Sequence, residues 1–507
     1  MIALPSCSSP QPARYNRRRG QAGFTMIELT VALVSGLIVA LGIVGLSREA
    51  TNTFNDEARS AAAEGGLRVA IERLRADLQR AGYMSTGNIL ADPALALIPG
   101  SSGAGSKNQT AYKPTTGSPS GFGMSGLQNL ASLFWVDNGS NSGTVNNQLT
   151  LSASQTPVAL TPDLIQIAGN MTTSEQFDVE LIAPGSNAAC TSGGTKISLS
   201  PTSPAMIRTL GGTVPTSGNA ASLGTLLQNL FTPDATSSFL LRLIDKTAHA
   251  QYLATCPPTL TQPSAGFDGS LQPYVLVDGL NTPVLYSSAT GSDISTIGGV
   301  SGFCVGCFVN PVQIVEWEIT NSSGGATHNE PSSDSTNLGY LPSVTKTADA
   351  DKYDLMRSYL DAQGNFLTGT SEIVAEYAVD LTFAFTGDSG TTLQPAATSS
   401  TTACALDDNT GCNVAWAKQV NSLVPGSGFG PQRVRSVRAR IATRAAQPDR
   451  SVTVPIVPAP YPAGTPFQAF MYRYYLPAGV YPAPLTWARA RTVTTEVALP
   501  NQARNFY

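Results

Sequence analysis

The sequence predicts an α+β protein: one long amino-terminal helix packed on an antiparallel β-sheet, with a large β- and loop-rich body. Three observations predict it. An apolar run spans Phe24 to Leu46; an amphipathic stripe follows at Leu67, Ile71, Leu74 and Leu78; and apolar–polar alternation sharpens later in the chain. At 507 residues the chain exceeds one small core. Its 30 Lys+Arg against 34 Asp+Glu exclude a globally basic nucleic-acid binder, and 42% hydrophobic residues exclude full disorder. Only two histidines, His249 and His328, are present, so sites needing several imidazoles are largely excluded.

The amino terminus comes first. Residues 1–23 carry Arg14, Arg17, Arg18 and Arg19 and no acid. The 23 residues from Phe24 to Leu46 hold one ionisable side chain, Glu28. At about 1.5 Å per residue they reach roughly 34 Å, enough for a hydrocarbon core of about 30 Å. The basic flank predicts a single span with its amino terminus inside. A secretory or twin-arginine signal should have a shorter, removable apolar region. Leu4-Pro5-Ser6-Cys7 has no apolar region before it, against a lipoprotein signal. A plain anchor leaves Glu28 unexplained, because an unpartnered carboxylate in a span costs about 2–3 kcal/mol.

The residues Gly23-Phe24-Thr25-Met26-Ile27-Glu28-Leu29, after a basic leader and before the apolar helix, resemble the type III signal of type IV pilins and type II secretion pseudopilins. The resemblance implies cleavage by a membrane prepilin peptidase at Gly23–Phe24 and N-methylation of Phe24. It implies that Glu28 compensates the charged amino terminus of a neighbouring subunit in a filament. Such pairing removes most of the penalty of a lone charge in an apolar bundle.

Beyond Leu46 the helical pattern turns polar, and Gly65-Gly66 predicts a break or kink. The stripe from Leu67 to Leu78 should pack on a sheet, with Arg68, Glu72, Arg73, Arg75 and Arg80 mainly solvated. Gly82 supplies a C-cap. Leu74–Tyr83 resembles the helix end of PilW-type minor pilins, which favours a minor over a major pilin.

Between residues 90 and 345 there are 6 basic and 15 acidic residues. Loop-like stretches alternate there with strand candidates at Leu133–Val136, Leu164–Ile167, Phe177–Ile182 and Tyr274–Val277. Val315, Trp317 and Ile319 interleave with Glu316, Glu318 and Thr320, as Val379, Leu381, Phe383 and Phe385 do with Asp380, Thr382 and Ala384. Each set predicts a strand with one buried face. Asp361–Asn365 reads as a turn, and further strands are expected at Tyr353–Leu360, Ile373–Phe385, Val434–Thr443, Phe470–Leu476 and Val493–Leu499. The order of the last strands resembles, more weakly, the PilW-type carboxy-terminal sheet. Residues 85–345 then read as an insertion and 346–507 as the sheet region, after a leader (1–23), a membrane segment (24–46) and an extramembrane helix (47–84).

Seven cysteines are present, of which Cys7 would leave with the leader. Cys190, Cys256, Cys304, Cys307, Cys404 and Cys412 form an even set suited to disulfides in an oxidising compartment. Cys404 and Cys412 bracket a short polar loop and are the favoured pair. Cys304-Val305-Gly306-Cys307 admits a redox dithiol or half a zinc site, but flanking strand residues and the lack of a second pair favour a structural bridge. Asp349–Asp354 and Asp407-Asp408-Asn409 offer oxygen ligands without an EF-hand pattern, and are expected to be solvated turn acids. Arg433, Arg435, Arg438, Arg440 and Arg444 are expected on a charged edge strand, split between its two faces unless a bulge intervenes. No nucleophile elbow or P-loop occurs, so neither catalysis nor a cofactor is expected.

The resemblance thus implies a PilW-like minor pilin whose partners are prepilin peptidase, the inner membrane and other major and minor pilins through the amino-terminal helix. A GspJ-like pseudopilin is the alternative. The weakly charged body suggests surface recognition, with a tip adhesin or a DNA-uptake pilin as further readings.

Overall fold

The computed structural model describes residues 25–89, 92, 94, 130–136, 147–149, 158–160, 162–184, 195–232, 237–245, 248, 250–256, 263, 265–277, 306–320, 353–362, 364, 366–367, 370–387, 430–445, 473–475 and 487–504. It contains an amino-terminal apolar helix and a mostly antiparallel β domain, an α+β architecture. Contacts divide the chain into Met1–Ala58 and Arg59–Tyr507.

Helix α1 runs Met26–Gln79. The strands follow as β1 (Leu133–Val136), β2 (Asn147–Leu149), β3 (Val158–Leu160), β4 (Leu164–Gly169), β5 (Phe177–Pro184) and β6 (Thr195–Leu199). Helices α2 (Pro204–Thr209) and α3 (Ala220–Phe231) precede β7 (Leu240–Ile244), β8 (Ala250–Ala254), β9 (Ala265–Phe267), β10 (Pro273–Val277) and β11 (Cys307–Thr320). The remainder comprises β12 (Asp354–Leu360), β13 (Glu372–Ala375), β14 (Ala378–Gly387), β15 (Val434–Arg444), β16 (Arg473–Tyr475), β17 (Trp487–Ala498) and α4 (Pro500–Arg504).

The expected break at Gly65-Gly66 does not occur; α1 is helical through both residues. A glycine costs about 1 kcal/mol in a helix interior. Here Glu64 and Arg68 bridge the pair at 2.6 Å, and Leu67, Ala70, Ile71, Leu74 and Leu78 are all buried just beyond. Each large apolar side chain fully buried contributes about 1.5–3 kcal/mol, which outweighs two glycines. The stripe therefore packs as its spacing predicts, and Arg68, Glu72, Arg73 and Arg75 face solvent. Arg80 departs from that expectation: it is half-buried, and its Nη1 donates to the Met171 carbonyl. Gly82 ends the helical turns at φ +69° and its N–H donates to the Ala168 carbonyl on β4.

Among the described residues, strand β11 organises the larger, 11-stranded sheet. Its first residues pair with β5 and β7, and its later residues with β4 and β12. Pro311 lies where one edge of β11 has left β5 and not yet met β4, consistent with proline's place at interrupted ladders. Odd-numbered residues face one side. Cys307 and Val309 lie in a core with α2 and α3, and Val315, Trp317 and Ile319 lie in the core beneath α1. The alternation read from sequence is right in phase but incomplete, because Glu316 on the opposite face is also buried, accepting from Gln166 Nε2 at 2.6 Å.

The core under α1 does not divide at residue 345. Trp135, Ile165 and Trp317, from the stretch expected to be an insertion, share it with Phe383, Val437 and Val497. The segment expected as one strand over Ile373–Phe385 is two. Strand β13 pairs with β12 in the large sheet, β14 pairs with β15 in the second sheet, and Glu376-Tyr377 carries the chain between them with Tyr377 at φ +54°.

Candidate functional site

Helix α1 begins with reciprocal hydrogen bonds between Thr25 and Glu28. The Glu28 backbone N–H donates to Thr25 Oγ1 at 3.3 Å, and Thr25 N–H and Oγ1 donate to Glu28 Oε2 at 3.0 and 2.9 Å. This is a capping box, in which an N-cap hydroxyl and an acid three residues on satisfy each other's orphan donors. The Thr-x-x-Glu spacing carries that signal in the sequence, but the carboxylate alone drew the prediction. Both bonds fall on Oε2. Gly23 and Phe24 lie outside the described residues.

The helix that follows is long and apolar enough to cross a membrane over Met26–Phe54. Its large apolar side chains, from Met26 and Ile27 to Val44 and Leu46, are all exposed. Within one chain nothing covers this surface among the described residues. Its chemistry suits lipid or other apolar helices.

The arginine cluster has another role than the expected one. Strand β15 is interior, paired with β14 on one side and β17 on the other. A register shift at Ser436/Val434 marks a bulge, so Val434 and Val437 both reach the core although three residues apart. The bulge brings Arg435, Arg438, Arg440 and Arg444 toward the opposite face. There Arg440 Nε lies 2.6 Å from Asp380 Oδ2, with both side chains buried. Arg438 meets Glu496, and Arg444 stacks over the Tyr377 ring at 4.8 Å. These cations are partnered internally, which weakens a phosphate-tracking surface further.

Sequence reasoning missed a second buried charge. Asp77 on α1 accepts from Trp317 Nε1 at 2.9 Å and from Arg357 Nε at 2.7 Å. Burial disfavours the Arg357 cation, but the hydrogen bonds and charge of Asp77 outweigh it and raise its pKa above the ordinary arginine value. The polar neighbours of an amphipathic stripe gave no sign which acid would be enclosed.

Cys256 and Cys307 are both fully buried and disulfide-bonded. Cys190, Cys304, Cys404 and Cys412 lie outside the described residues, as does the Asp407–Asn409 loop. Asp354 is buried rather than solvated and accepts from the Tyr377 N–H at 3.1 Å. Among the described residues no cluster of His, Cys, Asp and Glu is arranged to hold a metal. Comparison of the chain with protein-family models, with curated proteins and with solved structures finds no match.

Proposed function

We propose that the chain is a minor pilin of a type IV pilus, processed by prepilin peptidase at Gly23–Phe24 and assembled through its amino-terminal helix. The observation that carries this reading is the Gly23–Leu29 motif set between an arginine-rich leader and an apolar helix. Cleavage releases an amine on Phe24, one residue before the capping box. In a filament, the Glu28 carboxylate of one subunit neutralises the amine of its neighbour, and the exposed apolar helices pack together. The capping box supports this role because it fixes the carboxylate in the first helical turn, at the lowest cost in side-chain freedom. The β domain is then carried as the displayed part, with a weakly charged surface suited to recognition. The protein waits in the inner membrane before assembly, anchored by the single span.

The test is mass spectrometry of the protein recovered from its native membrane. A mature chain beginning at Phe24, with one added methyl group, supports the reading; an intact chain retaining Arg14–Arg19 sinks it. Loss of piliation on deletion, with secretion intact, separates a pilin from a secretion pseudopilin.

A further inference from the structure

Cys256 and Cys307 belong to one sheet and face opposite ways. On β10, Val275 and Val277 point into the core with α2 and α3, while Leu276 between them points to the other face. Cys307 lies in that α2–α3 core, and Cys256 packs with Leu276 on the far side. The alternation along β8 agrees: Leu253 joins the α2–α3 core, whereas Tyr252 and Ala254 join a separate cluster with Leu240 and Val312. The sheet therefore stands between the two sulfurs.

The register also separates them along the strands. Phe308 pairs with Ile244 and Ile244 with Ala250, so Cys307 lies level with the start of β8. Cys256 lies just past the end of β8. Ala250 and Cys256 are six residues apart, which at about 3.3 Å per residue is roughly 20 Å. A disulfide needs Cα atoms within about 7 Å. Both cysteines are bridged, so neither is the other's partner.

Cys256 also marks a seam. Strand β8 pairs with β7, β7 with β11, and β11 with β5, followed by β6 and β10. Thr255 then makes an antiparallel bridge to Val277 on β10, and the Cys256 N–H donates to the Leu276 carbonyl at 3.0 Å. The end of β8 thus meets β10, and these strands close into a ring.

We propose that two separate disulfides hold this ring, one on each face of its sheet. One staples the seam through Cys256; the other fixes the start of β11 in the α2–α3 core through Cys307. Their partners come from Cys190, Cys304, Cys404 and Cys412, the remaining cysteines outside the leader. Each bridge forms as two thiols lose two electrons and two protons to a disulfide oxidant of the exported compartment. Cys256 and Cys307 are each 0% exposed, which shields both sulfurs from direct attack by a thiolate in the folded protein.

The test is a disulfide map of the full chain taken from its native membrane in detergent. Free thiols are blocked with N-ethylmaleimide in denaturant, and the chain is cut with pepsin in acid, where thiolates are too few for exchange. Mass spectrometry should find Cys256 and Cys307 unlabelled and in two different bridges. A peptide linking Cys256 to Cys307, or label on most copies of either, overturns the proposal. In Cys256→Ala the newly labelled thiol should be one of the four remaining cysteines, with Cys307 still bridged; label on Cys307 overturns it as well. The map is independent of processing at Gly23–Phe24: an uncleaved chain carrying both bridges would remove the pilin reading and leave this one standing.

Discussion

Asp77 and Arg357, separated by 280 positions in sequence, join α1 to the sheet through a buried ion pair with Nε–Oδ2 at 2.7 Å. Trp317 completes the carboxylate's partners, and the Arg357 guanidinium stacks 4.7 Å over the Tyr359 ring. Removing one partner strands the other in an apolar core, which costs about 3–5 kcal/mol. Asp77→Ala is therefore expected to lower stability by that amount in urea unfolding. Asp77→Ala with Arg357→Met should recover most of the loss, because the double variant buries no charge. A double variant no more stable than Asp77→Ala alone contradicts this account.

Glycines of opposite character give the second prediction. A Cβ on Gly169 would stand 2.3 Å from the Arg80 carbonyl oxygen, so backbone must move. Gly169→Ala should destabilise by about 3 kcal/mol or more, in the range of an overpacked core. A Cβ on Gly65 or Gly66 meets nothing within 4 Å. Gly65→Ala and Gly66→Ala should each add about 0.5–1 kcal/mol. Thermal unfolding of the three single variants reads both signs at once.

Such contrasts mark where the sequence is legible. The α1 stripe and the alternation of β11 and β14 are set by burial periodicity, which a sequence displays directly. The extent of α1 through Gly65-Gly66 is not so displayed, because packing of Leu67–Leu78 overrides a local propensity. The interior place of β15 is hidden for a different reason. Five arginines resemble an exposed edge until Asp380, Glu496 and Tyr377, distant in sequence, are seen to partner three of them. At the amino terminus the reverse holds: Thr25 and Glu28 are three residues apart, and their capping geometry is a purely local consequence of spacing.

Acid sensitivity gives the third prediction. Burial raises the Asp268 carboxyl pKa, but Lys196 at 2.5 Å and the N–H groups of Gln272 and Ser270 outweigh it, leaving the pKa below the ordinary value. A carboxylate whose folded pKa is depressed contributes stability that is complete above its unfolded pKa, near ~4. That contribution disappears as pH falls through the lower folded value. With both side chains partly exposed, its size is about 0.5–1 kcal/mol. Asp268→Asn should thus cost this much at pH 6 and flatten the decline in stability below pH ~4. Parallel pH profiles for the wild type and the variant in urea unfolding count against it.

The last prediction separates charge from capping at Glu28. Glutamine serves at the third position of a capping box as well as glutamate does, since either side chain accepts from the N-cap N–H. Glu28→Gln therefore keeps the helix start and loses only the charge. If that charge neutralises the Phe24 amine of a neighbouring subunit, Glu28→Gln should leave processing and membrane insertion intact. It should still reduce incorporation into sheared filaments about tenfold or more, as Glu28→Ala also should. Thr25→Ser, which retains the hydroxyl, should incorporate normally, while Thr25→Val, isosteric but without it, should incorporate less well. Quantitative immunoblots of filament and membrane fractions distinguish the outcomes. Normal incorporation of Glu28→Gln would assign the residue to capping alone and remove the electrostatic basis of assembly.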